Sequence, residues 1–260
     1  VNLTAGEALI VELEGRKRKL TEFFELDAKT ELLDQPDAEI DFAPEVIQGL
    51  RNFHIEWHIM PSARITPVDD SYFSRLYPTA SKDFSRPREP GLSYRERLVT
   101  GHRAHQGRII GVERTLKPRY LPENRQFYGT LYGFDASADP FAPYMGPAGM
   151  MNGTRYAHNY LSLRAFLNVV TEDWRAKSIL PAGYRVTVCP PAVFNLVGTI
   201  FHPEWSDTET IELGFYRDEA GNATCYAVGA NGPGDFSYIN EIEGEADWSL
   251  TGFRVALLPE

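Results

Sequence analysis

The last third of the chain constrains the fold most. Between residues 184 and 258 the sequence divides into short β-prone runs: "YRVTVC", "VFNLVGTIF", "TETIELGFYR", "NATCYAVGA", "FSYINEI" and "WSLTGFRVALL". Turn-forming stretches such as "DEAGN" and "NGPGD" separate several of them. Runs of this length, rich in Val, Ile, Tyr, Phe and Thr, read as strands. A succession of them punctuated by turns predicts an antiparallel meander, curled into a sheet or a barrel.

Helical periods lie upstream. Thr4 and Glu7 form a capping-box pattern, and Leu9, Ile10, Leu13, Leu20, Phe23 and Phe24 recur near helical spacing, which predicts a helix over 4–33. The basic run "GRKRK" at 15–19 falls on its exposed side and reads as a solvated face. In "TRYAHNYLSLRAFLNVVTEDW", Tyr156, Tyr160, Leu163, Leu167, Val170 and Trp174 alternate in steps of four and three. That stripe predicts a central helix over 154–175, with His158 on its outer side. "GRIIGVERTL" (107–116) and "QFYGTLYGF" (126–134) read as strands paired across "KPRYLPENR". Residues 61–97 carry Pro61, Pro67, Pro78, Pro87 and Pro90 and read as a long irregular loop, the kind that often covers a functional site. The elements combine into a single α+β domain over 1–260: N-terminal helix 4–33, β-rich core 53–134, helix 154–175 and C-terminal meander 184–258.

Composition removes whole classes of function. An excess of 36 acidic over 26 basic residues, net charge −10, argues against nucleic acid and against anionic membranes as partners. No apolar run approaches the roughly 18 residues of a membrane span. The acidic residues within "VNLTAGEALIVELEG" do not fit a secretory leader. Two cysteines, Cys189 and Cys225, exclude a disulfide framework or a zinc cluster and read as buried thiols in a reducing, cytoplasmic setting. Nucleotide signatures (GxGxxG, P-loop) and the GxSxG elbow are missing from the sequence. With 12% aromatic residues, a ring-lined pocket for a small molecule is the expected partner site.

The candidate chemistry centres on "FHIEWHI" at 53–59. Alternation on a strand puts His54, Glu56 and His58 on one side, about 6 to 7 Å apart in succession, and Phe53, Ile55, Trp57 and Ile59 on the other. Two imidazoles and a carboxylate can hold iron or zinc, or act without metal as a general base with its supports. A polar face turned to water is the third possibility, and it stays open at this point. Tyr128 and Tyr132 share one face of "QFYGTLYGF" and could hold an oxyanion or donate a proton. His102 and His105 in "GHRAHQGR", read as a loop, could turn inward to bind substrate, with Arg125 as an anion clamp and Trp57 as an apolar contact.

The octapeptide "GTIFHPEW", Gly198 to Trp205, followed by the acidic "SDTETIEL", resembles a strand-to-strand stretch of the bacterial phenolic acid decarboxylases. The resemblance implies a lipocalin-like (calycin-like) barrel and a cofactor-free lyase whose tyrosines, arginine and glutamate orient and protonate a hydroxycinnamate. Gly198, Phe201, Pro203 and Trp205 correspond only as framework. The family's tyrosine-bearing motif is absent here, and this chain is longer.

The leading expectation is therefore a cofactor-independent lyase or isomerase using acid–base chemistry on a small, aromatic acid or ketone. Its site would be His54, Glu56, His58, Tyr128 and Tyr132, with no metal. One alternative is a metal-dependent oxygenase or hydrolase with iron or zinc on His54, Glu56 and His58. Another is a non-catalytic binder of small apolar ligands. The amphipathic first helix leaves a homo-oligomer open.

Overall fold

The computed structural model describes residues 3–25, 42–61, 71–79, 94–115, 129–130, 133–134, 139–145, 155, 158–207, 211–217, 223–230, 234–242 and 251–260. Helix α1 spans Ala5–Phe24. Its capping box is formed: Glu7 N–H donates to Thr4 Oγ1 at 3.3 Å, and Thr4 N–H donates to Glu7 Oε2 at 2.8 Å. The helix stops at Glu25, whose left-handed φ of 54° turns the chain away well short of residue 33. Then follow α2 (Pro44–Arg51), β1 (Ile55–Ile59), α3 (Ser71–Leu76), α4 (Tyr94–Ala104) and β2 (Ile109–Glu113). Next come β3 (Gly129–Thr130), β4 (Gly133–Phe134), α5 (Tyr160–Ala176), β5 (Tyr184–Val188) and α6 (Pro191–Phe201). The last strands are β6 (Ile211–Arg217), β7 (Ala223–Gly229), β8 (Tyr238–Ile242), β9 (Thr251–Phe253) and β10 (Val255–Pro259).

The described strands make two four-stranded sheets and a small ribbon, an α+β arrangement as expected. The first sheet runs β1-β2-β10-β5 and is antiparallel throughout. The second runs β8-β7-β6-β9, antiparallel except where β9 joins β6 in parallel. Neither closes on itself among the described residues, so the expected curl into a barrel is not seen there.

One stretch belongs to both sheets. "WSLTGFRVALL", expected as one strand, splits at Arg254 into β9 and β10. The Arg254 side chain is buried at this corner. It donates to both oxygens of Glu212 on β6 (3.0 and 2.7 Å) and to the backbone carbonyls of Glu113 (2.6 Å) and Thr115 (2.7 Å) at the end of β2. A second buried guanidinium, Arg155, pairs with Asp139 through two 2.6 Å bonds and with Glu113 at 2.7 Å. Buried arginines need such full pairing, because an uncompensated charge away from water is very costly.

Both faces of the first sheet are covered. Ile55, Trp57 and Ile59 enter one apolar core with Leu9 and Leu13 of α1 and Leu163, Phe166, Val170 and Trp174 of α5. Met60, Ile110, Val112, Ala256 and Leu258 enter the other, with Val193, Phe194, Leu196 and Val197 of α6. Cys189 and Cys225 are both buried, as expected.

Several elements depart from the sequence reading. "VFNLVGTIF" forms the greater part of α6, not a strand. Residues 191–198 of this helix are buried on every side, so no 3.6-residue stripe exists to betray it, and a continuous apolar run is ambiguous by periodicity. Pro191 at its first position is the helix-start signal. It follows that Gly198–Trp205 is a helix end and a 3-10 turn, and the framework implied by the phenolic acid decarboxylase resemblance does not apply to it. Residues 61–97 contain α3 and the start of α4. Within 126–134, Gly129 pairs with Phe134 and Thr130 with Gly133, so the segment folds back on itself; β2 pairs instead with β1 and β10. His158, placed outside by the helical stripe, is buried just before α5 begins.

Candidate functional site

Glu56 and His58 sit two apart on β1, as the alternation requires, and meet Arg16 from the middle of α1 and Phe201 at the end of α6. His58 is completely buried, while the Glu56 side chain is 11% exposed. His58 Nε2 lies 2.7 Å from Glu56 Oε1. The third member is His202, in the turn just after α6, with its Nε2 2.5 Å from the same oxygen. These three side chains each offer an atom within 4.8 Å of the others, a two-histidine, one-carboxylate set that could hold a metal ion.

The surroundings fix the set. Glu204 Oε1 lies 2.6 Å from His202 Nδ1, and the His202 ring stacks on Trp205 with centroids 4.8 Å apart. Trp205 is itself covered by the Arg254 guanidinium, 3.6 Å from its ring centre, so the corner between the sheets supports the site. Phe201 closes the other side, 4.9 Å from the His58 ring. Arg16 reaches in from α1. Its Nη2 pairs with Glu12 at 2.6 Å and with Glu56 Oε2 at 3.1 Å, and its Nη1 lies 2.8 Å from His58 Nδ1.

Electrostatics keeps Glu56 and His58 deprotonated. Burial by itself would raise the Glu56 pKa. Hydrogen bonds from His202 and His58, with the Arg16 charge behind them, outweigh it and hold the carboxyl far below its ordinary range. Burial pushes the His58 imidazole down to about 4, aided by Arg16 and opposed by its bond to Glu56. At neutral pH Glu56 is an anion and His58 a neutral ring, the forms in which both bind metals. An open groove of about 520 Å³ leads to them, lined by Arg16, Arg18, Lys19, Glu12, Glu56, Phe201 and His202 among others.

The other sequence candidates are dispersed. His54 precedes β1 with φ 57° and places Nδ1 3.2 Å from Thr115 Oγ1, apart from Glu56 and His58. Trp57 faces the opposite core, where it packs on Phe42 and Tyr184. His102 lies on α4, not in a loop, and is buried with Nε2 3.1 Å from the Tyr77 hydroxyl. His105, just beyond α4, lines a separate cavity of about 370 Å³ at the β5 edge of the first sheet. Tyr128, Tyr132 and Arg125 lie outside the described residues.

The sequence reading missed His202 and Arg16. Arg16 was hidden in a basic run on an amphipathic helix, where solvation is the ordinary expectation. His202 stands in "FHPEW" with no local pattern tying it to residue 56. Its only sequence signal is a histidine two residues before a glutamate, which is common. Compared with protein-family models, with curated proteins and with solved structures, the chain matches none of them.

Proposed function

We propose that the chain is a metal-dependent enzyme, a hydrolase or oxygenase, whose zinc or iron ion is held by Glu56, His58 and His202. The convergence of their three ligand atoms within 4.8 Å carries the reading. Three protein ligands, rather than four, leave positions for water and substrate, as catalytic sites require and structural zinc sites do not. Glu204 on the far nitrogen of His202 supplies the carboxylate–histidine support that metal ligands commonly have. Such an ion would polarise a substrate oxygen or activate a water. Arg16 would stay on Glu56 Oε2 and Glu12, releasing His58. Arg18, Lys19 and Phe201 along the groove favour a substrate with an anionic group and an apolar part. The reading needs no closed, lipocalin-like barrel.

One contact favours a second reading, the cofactor-independent lyase or isomerase. Arg16 Nη1 lies 2.8 Å from His58 Nδ1 and 2.9 Å from its Nε2; when it donates to Nδ1, Nε2 carries the proton and donates to Glu56, which makes the cluster a proton-bearing network. In that case the groove-facing His202, 15% exposed, is the group able to reach substrate.

Elemental analysis and Co²⁺ or Zn²⁺ titration by calorimetry separate the two. The metal reading expects one ion per chain, with binding lost in His202→Ala and Glu56→Gln. A wild-type protein that takes up no divalent metal overturns it. Circular dichroism of His202→Ala, the less buried position, checks that loss of binding is not loss of fold.

A further inference from the structure

A second cavity lies at the β5 edge of the first sheet. It is bounded by α4, α5, β5 and the start of α6, and its walls carry Tyr160, Phe215 and Tyr226. The rings of Tyr160 and Phe215 meet edge to face at 5.1 Å. At about 370 Å³ it falls in the size range of small-molecule sites. Its polar lining is cationic. Arg164 projects from α5 and Arg185 from β5; no Asp or Glu is among the described lining residues. Neither guanidinium has an ion pair with a described carboxylate.

His105 completes the rim. Burial holds its imidazole down at about 4, and the charges of Arg185 and Arg108 add to the effect. The ring is therefore neutral at physiological pH, a hydrogen-bonding group beside two fixed positive charges. The first turn of α6 ends in the same wall at Pro190, Pro191 and Ala192, adding the positive end of its dipole.

We propose that this cavity binds a small aromatic carboxylate, its ring packed between Tyr160, Phe215 and Tyr226 and its carboxylate held by Arg164 and Arg185. The guanidinium fork matches a planar carboxylate in a way that a point charge does not. The site is distinct from the Glu56–His58–His202 cluster. Helix α6 begins at one and ends at the other, and its 11 residues at ~1.5 Å each put them about 16 Å apart. The proposal stands or falls without the metal reading.

The test is calorimetric titration of the full chain with 4-hydroxybenzoate, phenyl phosphate and the uncharged 4-hydroxybenzamide. Binding of 4-hydroxybenzoate is expected, at least tenfold tighter than the amide. Arg164→Gln and Arg185→Gln should each weaken it tenfold or more, and both positions are exposed enough to leave the fold intact. Arg51→Gln, an exposed arginine that lines neither this cavity nor the groove at Glu56, should leave the affinity unchanged. Equal affinity for acid and amide, or undiminished binding in the double arginine variant, overturns the proposal. Tighter binding of phenyl phosphate than of 4-hydroxybenzoate overturns the carboxylate assignment.

Discussion

Acid should destabilise this protein through imidazoles that it buries uncharged, and His102 allows the effect to be isolated. The side chain is only 3% exposed. Its Nε2 meets the Tyr77 hydroxyl at 3.1 Å, and its Nδ1 has no described hydrogen-bond partner. Burial, with His105 nearby, holds its pKa down to about 3. In the unfolded chain the same group titrates near 6.5. Between these values the unfolded state binds a proton that the folded state refuses. Stability is therefore full above about pH 6.5 and is lost as the pH falls through the window toward 3. At pH 4.5, about two units below the unfolded value, the loss is about 2.7 kcal/mol from this residue at 1.36 kcal/mol per unit. That is a large share of a typical folding stability of about 5–15 kcal/mol. Other groups also titrate, so the measurement compares wild type with His102→Gln, which cannot take up the proton. Urea unfolding at pH 7 should place the two within about 1 kcal/mol, one hydrogen bond being at stake. Between pH 7 and 4.5 the variant should lose about 2–3 kcal/mol less than wild type. Parallel losses in the two proteins would refute the argument.

Replacing Arg155 by Met strands the buried carboxylates of Asp139 and Glu113, and should lower stability by about 3–5 kcal/mol in urea titrations. Adding Asp139→Asn and Glu113→Gln should recover most of that; a loss below ~1 kcal/mol in the single variant would contradict the pairing. Glu204→Gln should weaken Co²⁺ binding by about 10–100-fold with an unchanged circular dichroism spectrum. Unchanged affinity would mean that stacking on Trp205 alone orients His202.

Legibility from sequence varied with how local the cause was. The capping box at Thr4 and Glu7 was readable because both partners lie within one turn. The stripe of α5 was readable because one side of that helix meets the core and the other meets water. Helix α6 was not, since burial on every side erases the contrast that periodicity needs. The split at Arg254 was equally hidden. A strand that crosses between sheets keeps its β-prone residues, and the corner is marked by the buried bonds of Arg254 to Glu212 and to the carbonyls of Glu113 and Thr115.

The candidate site divides the same way. Sequence alone determined that Glu56 and His58 lie on one side of a strand, with Ile55, Trp57 and Ile59 on the other, because backbone geometry alternates side chains regardless of surroundings. Tertiary structure decided what that side faces. Packing of α1 and α6 over it removed water from His58 and brought in Arg16 from 40 residues before Glu56 and His202 from 146 residues after. It also left His54 outside the cluster. A chain's local period fixes which groups travel together, but contacts between distant segments depend on the whole packed arrangement and leave no mark in the local sequence.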